Sequence, residues 1–258
     1  MRVLTVGDVM GRLGRHVVCT LLPGLRRELS LDYVIVNAEN AAAGRGTTGK
    51  IAQELLDHGA DVITGGNHTW AIPDFADTLR GELPVLRPAN YPQGAPGRGV
   101  WHDGRLAVCN LIGRTFMEPV DDPFALATQL LDGLPSGIPA IVDFHAEATS
   151  EKQAMGWHLD GRAAAVVGTH THVPTADARL LPQGTAFVTD LGMCGARDSV
   201  IGTNAEAVLR KFRTGLPTRL PPETAGVAVF CSVMIEIDED TGRAEHIERV
   251  DRVLDAST

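Results

Sequence analysis

The sequence is poor in aromatics: they make up 5% of its 258 residues, including two tyrosines and three tryptophans, so no aromatic surface marks an interface. It has four cysteines, Cys19, Cys109, Cys194 and Cys231, far apart and without a CxxC pair. Scattered thiols in a chain of this size predict reduced, buried side chains in a cytosolic protein. Glycines flank Cys194, but no His or Lys adjoins it, so an inert thiol is expected there. No segment approaches the roughly 20 apolar residues needed to span a bilayer. The start, Met1 to Asp8, runs straight into an apolar strand and an acid, without the basic region and long apolar stretch of a signal peptide. A cytoplasmic location, away from membranes, is the expectation. Positive charge is also in deficit, with a net charge of -9. Such a surface repels polyphosphate backbones and argues against avid binding to long nucleic acid. A small phosphate ester stays open where metal ions reverse the local sign.

What is present is ordinary globular composition, 44% hydrophobic and 21% charged. The pattern repeats a β-branched run, a polar Gly-rich turn and a helical stretch. Val3 to Val6 leads to Gly7-Asp8 and a helix from Val17 to Leu29. Tyr33 to Val36 leads to Asn37-Ala38-Glu39-Asn40 and a helix from about Lys50 to His58. Val62 to Thr64 leads to Gly65-Gly66-Asn67-His68, Pro139 to Val142 to Asp143-Phe144-His145, and Ala164 to Val167 to Gly168-Thr169-His170-Thr171-His172. A hairpin is expected around Trp101 to Arg105, and two further strands at Thr185 to Thr189 and Gly226 to Asp238, the latter followed by a turn at Asp240-Thr241-Gly242 into His246 to Val253. Strands alternating with helices indicate an α/β fold on a largely parallel sheet. Strands at both ends of the chain suggest a mixed or two-sheet architecture. With no repeat or linker visible, one domain over residues 1–258 is the simplest organisation.

In open α/β sheets the ligand site lies beyond the carboxyl ends of the strands. Five such ends here carry Asp8, Glu39 with Asn40, Asn67, His145, and His170 with His172. Carboxylate, amide oxygen and imidazole are the donors that Lewis-acidic divalent metals take. Two ions about 3.5–4 Å apart need a bridging carboxylate, and Glu39, with an amide beside it, is the natural bridge. His170 and His172 lie two apart, and on a fraying strand end both side chains fall on one side. Taken singly, each residue has an ordinary alternative. Asp8 could cap a helix, Asn67 could hold a turn, and His145 could be a satisfied buried histidine. Only the conjunction favours metal. His16, His58, His102, His158 and His246 fall in helices, hairpins or surface turns and read as solvated or structural.

Gly44 to Ile51 comes within one residue of a phosphate-binding GxxxxGK[ST] loop, but Ile51 replaces the hydroxyl that would hold Mg²⁺, and Asn37 to Ala43 separate the loop from its strand. A Gly-rich flap beside an active site, with Arg45 or Lys50 near the substrate, fits better.

The motifs together resemble the calcineurin-like metallophosphoesterases. Three departures stand out: Met10 where D-x-H would have its histidine, Glu39-Asn40 in the second block, and Thr69 after Gly66-Asn67-His68. They match a narrower group, the YmdB-like bacterial phosphodiesterases, in Gly7 to Arg12, Asn37 to Ala42, Gly66 to Trp70, Asp143 to Lys152 and Gly168 to Val173. That resemblance implies a calcineurin-like α/β/β/α sandwich, two mixed β-sheets flanked by helices, around a di-iron or other dinuclear centre. It also implies cyclic nucleotides, 2′,3′-cyclic ones in particular, as substrates. Asp8, Glu39, Asn40 and His172 would hold one metal, and Glu39, Asn67, His145 and His170 the other. His68, beside a ligand, would donate the proton. Iron is favoured, while the oxygen and nitrogen donors also suit Mn or Zn.

The implied chemistry is attack on phosphorus by a hydroxide bridging the ions, with His68 protonating the leaving sugar oxygen. Asp143 and Glu147 are candidates for orienting the imidazoles. Two other functions stay open: a nucleotide-binding switch using Gly44 to Lys50, and a regulatory protein keeping a metal site with little turnover. Neither the physiological substrate nor a homo-oligomeric state is legible in the sequence.

Overall fold

The β-branched runs form strands in a computed structural model of the chain, which describes residues 1–255. Residues 256–258, counted in the expected domain, lie outside the described residues. From the N-terminus, β1 (Arg2–Val6) and β2 (Asp8–Val9) precede α1 (Gly11–Glu28), β3 (Tyr33–Asn37), α2 (Gly49–Asp57), β4 (Val62–Thr64) and α3 (Phe75–Arg80). Next come β5 (Val100–His102), β6 (Ala107–Ile112), α4 (Pro123–Asp132), β7 (Ala140–His145), α5 (Thr149–His158) and β8 (Ala165–Thr169). The last stretch holds β9 (Arg179–Leu180), β10 (Ala186–Val188), β11 (Met193–Ala196), α6 (Ala205–Thr214), β12 (Val227–Phe230), β13 (Ser232–Ile237), β14 (Ala244–Arg249) and β15 (Arg252–Asp255).

Two large mixed sheets pack face to face. One runs β14-β13-β1-β3-β4, the other β5-β6-β7-β8-β10-β9. Within them β1, β3 and β4 are parallel, as are β6, β7, β8 and β10, and antiparallel strands flank each set. Successive side chains of a strand point to opposite faces, and here both faces are buried. Val3, Ile35, Val62 and Val233 meet Val108, Ile141, Val167 and Val188 between the sheets. Leu4, Val34, Val36 and Ile63 turn outward to Val17, Leu22 and Leu55 of α1 and α2. On the far side, Val142, Phe144 and Phe187 meet Ala127 of α4 and Met155 of α5. Burial on both faces explains why these strands read as continuous apolar runs. The layering is the α/β/β/α sandwich the motifs imply.

A third, four-stranded sheet, β15-β12-β11-β2, extends the first. The run Gly226 to Asp238, read as one strand, is two strands that bend at Cys231, and the stretch after the expected turn is likewise two strands, β14 and β15. The bend is held by Gly7 N–H donating to Cys231 O at 3.0 Å and Ser232 N–H donating to Asp251 Oδ1 at 3.0 Å. It opens room for β11, which pairs Met193 with Asp8 and Cys194 with Val9. Helix α1 begins at Gly11, six residues before the apolar periodicity does, because its first turn lies on β11: a Cβ at Gly14 would overlap Cys194 O. Among the described residues no helix is long and apolar enough to cross a membrane.

Candidate metal centre

The carboxyl ends of β3, β4, β7 and β8 converge with Asp8 of β2 at one end of the sandwich. All seven expected ligands and His68 meet there. Two groups have donor atoms mutually within 4.8 Å: Glu39, His145 and His170, and Asp8, Glu39 and His172. Glu39 belongs to both, as a bridge must. Asn67 Oδ1 lies 3.1 Å from His145 Nε2, and Asn40 Nδ2 lies 2.9 Å from both Glu39 Oε1 and His172 Nε2. Asp8 sits inside β2 and caps no helix; the residue before α1 is Met10.

The imidazole tautomers follow from what holds each ring from behind. His145 Nδ1 donates to Thr169 Oγ1 at 2.9 Å, and that hydroxyl donates to Asp143 Oδ1 at 2.7 Å. His170 Nε2 faces Glu147 Oε2 at 3.0 Å, and His172 Nδ1 donates to Ile201 O at 2.9 Å. Each ring therefore turns its other nitrogen, the one not held from behind, inward. His145 Nε2 then presents its lone pair to Glu39 Oε2 at 3.2 Å, Asn67 Oδ1 at 3.1 Å and His170 Nδ1 at 3.1 Å. Acceptors crowded against acceptors are stable only around a proton or a cation. Asp8 adds to this, since Oδ2 accepts from His170 N–H at 3.2 Å whereas buried Oδ1 has no hydrogen-bond partner among the described residues and only His145 Nδ1 at 3.7 Å beside it. The donor set fits metal ions.

The electrostatics agree. Burial, partly offset by His172 and His145, pushes the Asp8 carboxyl up to about 6. Burial also disfavours charge on Glu39, but His145 and His68 outweigh it and hold the carboxylate well below its usual range. For His145 burial is outweighed by Glu39 and Asp8, which lift it to about 9. Burial and the neighbouring His145 depress His170 to about 3. Two imidazoles in contact cannot both be charged, and negative charge from Glu39 is shared among them.

His68 flanks the centre. Its backbone N–H donates to Glu39 Oε2 at 3.0 Å and its Nδ1 lies 2.8 Å from Asn40 Oδ1. The ring lines a cleft of ≈ 320 Å³ together with Met10, Gly44, Glu147, His170 and Ile201. Its Nε2 has no protein partner among the described residues. Asn40 turns its amide nitrogen, not its oxygen, toward Glu39 and His172.

Other sequence expectations divide. Glu147 orients His170 directly, and Asp143 reaches His145 only through Thr169. His170 and His172 enter one site, though not as extended residues: their φ values are 99° and 66°. A left-handed turn brings them inward because the strand ends at Thr169. Gly44 borders the cleft as a flap residue, but Lys50 lines a separate cleft with Arg15 and Glu54, and Thr48 caps α2 by accepting from Ile51 N–H. The phosphate-loop likeness thus resolves into a helix cap. Arg45 is exposed and borders no part of the cleft beside His68. His16, His58, His102, His158 and His246 are exposed and outside the cluster. Burial pushes the Cys194 thiol far up, in keeping with an inert residue.

Sequence reasoning missed the frame around the histidines. Lys152 and Asp190, each 1% exposed, form an ion pair of 2.6 Å. Asp190 Oδ2 also accepts from Thr171 N–H at 3.1 Å and Thr171 Oγ1 at 2.7 Å, which fixes the turn carrying His170 and His172. The Ile201 carbonyl had no sequence signal, since a backbone oxygen carries no residue identity.

The chain matches known proteins over nearly its whole length. The chain is 48% identical to a 2′,3′-cyclic-nucleotide 2′-phosphodiesterase of Bacillus subtilis (strain 168) over 97% of its own length and 96% of that protein. A crystal structure of a hypothetical protein from Thermus thermophilus superposes with a TM-score of 0.92 at 42% identity, covering 98% of this chain and 99% of that one. A crystal structure of a novel phosphatase from Mycoplasma pneumoniae gives 0.92 at 35% identity, over 99% and 94%. The NAD nucleotidase of Haemophilus influenzae, at 16% identity and 0.58, over 99% of this chain and 56% of that one, shares the fold. The family model described as YmdB-like protein matches residues 4–250, and the chain belongs to that family.

Proposed function

We propose that the protein is a metal-dependent phosphodiesterase acting on small phosphodiesters, 2′,3′-cyclic nucleotides foremost. The observation that carries this is the pair of donor groups sharing Glu39, beside a buried Asp8 oxygen that has no hydrogen-bond partner among the described residues. The 48% identical relative named for that activity supports the substrate class. Asp8, Glu39, Asn40 and His172 would hold one ion, and Glu39, Asn67, His145 and His170 the other. Iron is favoured, with Mn and Zn compatible with the same donors. Bound there, two cations supply Lewis-acid neutralisation of the phosphate charge and an acidified water.

The chain's own residues supply the rest. Thr169, Glu147 and the Ile201 carbonyl fix the ring tautomers so that unprotonated nitrogens face inward. For Asn40 to offer oxygen, its amide turns over and presents Nδ2 to His68 Nδ1. Nε2 is then the nitrogen of His68 left to meet the leaving oxygen. Hydrolysis adds water across one P–O bond of the cyclic ester. The displaced sugar oxygen takes a proton from His68, and the products are a phosphomonoester and a free hydroxyl.

The test compares wild type, Glu39→Gln and His68→Ala for metal content and for hydrolysis of bis(p-nitrophenyl) phosphate and 2′,3′-cyclic nucleotides. Glu39→Gln should lose metal and nearly all activity. His68→Ala should keep its metal and lose about 10²–10⁴-fold in kcat. Equal activity in wild type and Glu39→Gln would sink the dinuclear reading. A metal-loaded, fully active His68→Ala would remove only the proton donor.

A further inference from the structure

One side chain near the centre is used by nothing described so far. Strand β6 ends at Ile112, in register with His145, and Gly113 N–H donates to His145 O at 3.0 Å. A loop follows, residues 113–121, whose base is clamped by the fully buried Asn90. Its Oδ1 accepts from Ile112 N–H at 2.9 Å, and its Nδ2 donates to Ile112 O at 2.8 Å and Asp121 O at 3.0 Å. Glu151 of α5 accepts from Arg114 N–H at 3.0 Å and Thr115 N–H at 3.1 Å. Beyond the apex, Glu147 N–H donates to Met117 Sδ at 3.3 Å, and the Glu147 carboxylate borders the cleft against His170.

At the apex of this braced loop stands Phe116, 89% exposed and with a φ of 63°. A bulky side chain with left-handed backbone is sterically disfavoured, and a ring left in water recovers nothing by burial. Folding alone would favour Gly or Asn at this position. Backbone held this way by its surroundings is found where function requires it.

We propose that Phe116 is the stacking platform for the nucleobase, and so a specificity-determining residue of the reaction above; this rests on the phosphodiesterase reading. A nucleotide whose cyclic phosphate lies at Glu39 and His170 must extend its sugar and base out of a small cleft. The loop that carries Phe116 is bonded on either side of it to residues of the centre, through Gly113 to His145 and through Met117 to Glu147, which borders the cleft. Every base has a flat π-face, and an aromatic ring binds it with little regard to base identity.

The test measures kcat and KM of metal-loaded wild type, Phe116→Ala and Phe116→Trp on two substrates. One is 2′,3′-cyclic adenosine monophosphate, the other the base-free methyl ribofuranoside 2′,3′-cyclic phosphate. Phe116→Ala should lose about 10–100-fold in kcat/KM on the nucleotide, chiefly through KM, and change little on the base-free ester. Phe116→Trp should restore the nucleotide. If Phe116→Ala lowers both substrates equally, or neither, while wild type hydrolyses both, the platform alone is overturned. A metal-loaded wild type that hydrolyses neither overturns the phosphodiesterase reading and the platform with it.

Discussion

The tightest constraint at the residue scale is Gly66. It follows β4 directly, and a Cβ built there would overlap both Glu39 Oε2 and His145 Nε2. Those two atoms belong to the donor group that includes His170, so the only residue that fits is one without a side chain. Gly66→Ala should therefore fold, because the three atoms nearest the added Cβ all belong to the Glu39 and His145 side chains. Its metal content should fall to half or less, and activity with it, while the far-ultraviolet circular dichroism stays that of wild type. A Gly66→Ala protein with full metal content would show that Glu39 and His145 do not share an ion. The same residue shows what the sequence reveals and what it hides. Asn67 and His68 were legible as donor types after a β-branched run, whereas the reason for the glycine before them appears only once β4 and β7 are adjacent.

Between elements, the frame that carries the histidines is the buried pair Lys152–Asp190, which ties α5 to the segment after β10. Removing the lysine leaves a carboxylate in a dry interior with only Thr171 and Gly192 as donors among the described residues. Breaking such a pair costs about 3–5 kcal/mol. Lys152→Met should show a loss of that order in urea unfolding, and a larger proportional loss of activity, since the Thr171 turn loosens with it. Asp190→Asn in the Lys152→Met background should recover part of the stability; no recovery would mean that the lysine acts by packing alone. The pair was not legible because Lys152 sits in a helix whose polar residues, Ser150 to Gln153, look solvent-facing. The third sheet was hidden for a related reason. The apolar run passes through Cys231 without a Gly or Pro, so nothing local marks the bend that admits β11. The layers and strand ends, by contrast, follow from runs buried on both faces, which is why the positions of the donor side chains were readable and their supports were not.

For the whole molecule, the donor set joins the two sheets: Glu39 and Asn67 follow strands of the first sheet and Asp8 lies in its extension, while His145 ends β7 and His170 follows β8 of the second. An ion held by both groups binds the folded chain and not the unfolded one, so it stabilises by mass action, about 2.7 kcal/mol at a free concentration 100 times Kd. The pH dependence has a definite sign. In the metal-free chain His145 is lifted from 6.5 to about 9, chiefly by Glu39 working against burial. That contribution is fully present below about 6.5 and is lost as the pH rises through about 9. Metal binding runs the other way, because imidazole ligands must be deprotonated. The difference in Tm between metal-loaded and chelator-treated protein, measured by scanning calorimetry, should therefore widen from about pH 6.5 to about pH 9. In Glu39→Gln the difference should vanish at every pH. A gap that stays constant or narrows over that range would mean that metal and the His145 proton do not compete for one site, and the assignment of His145 as a ligand would fall.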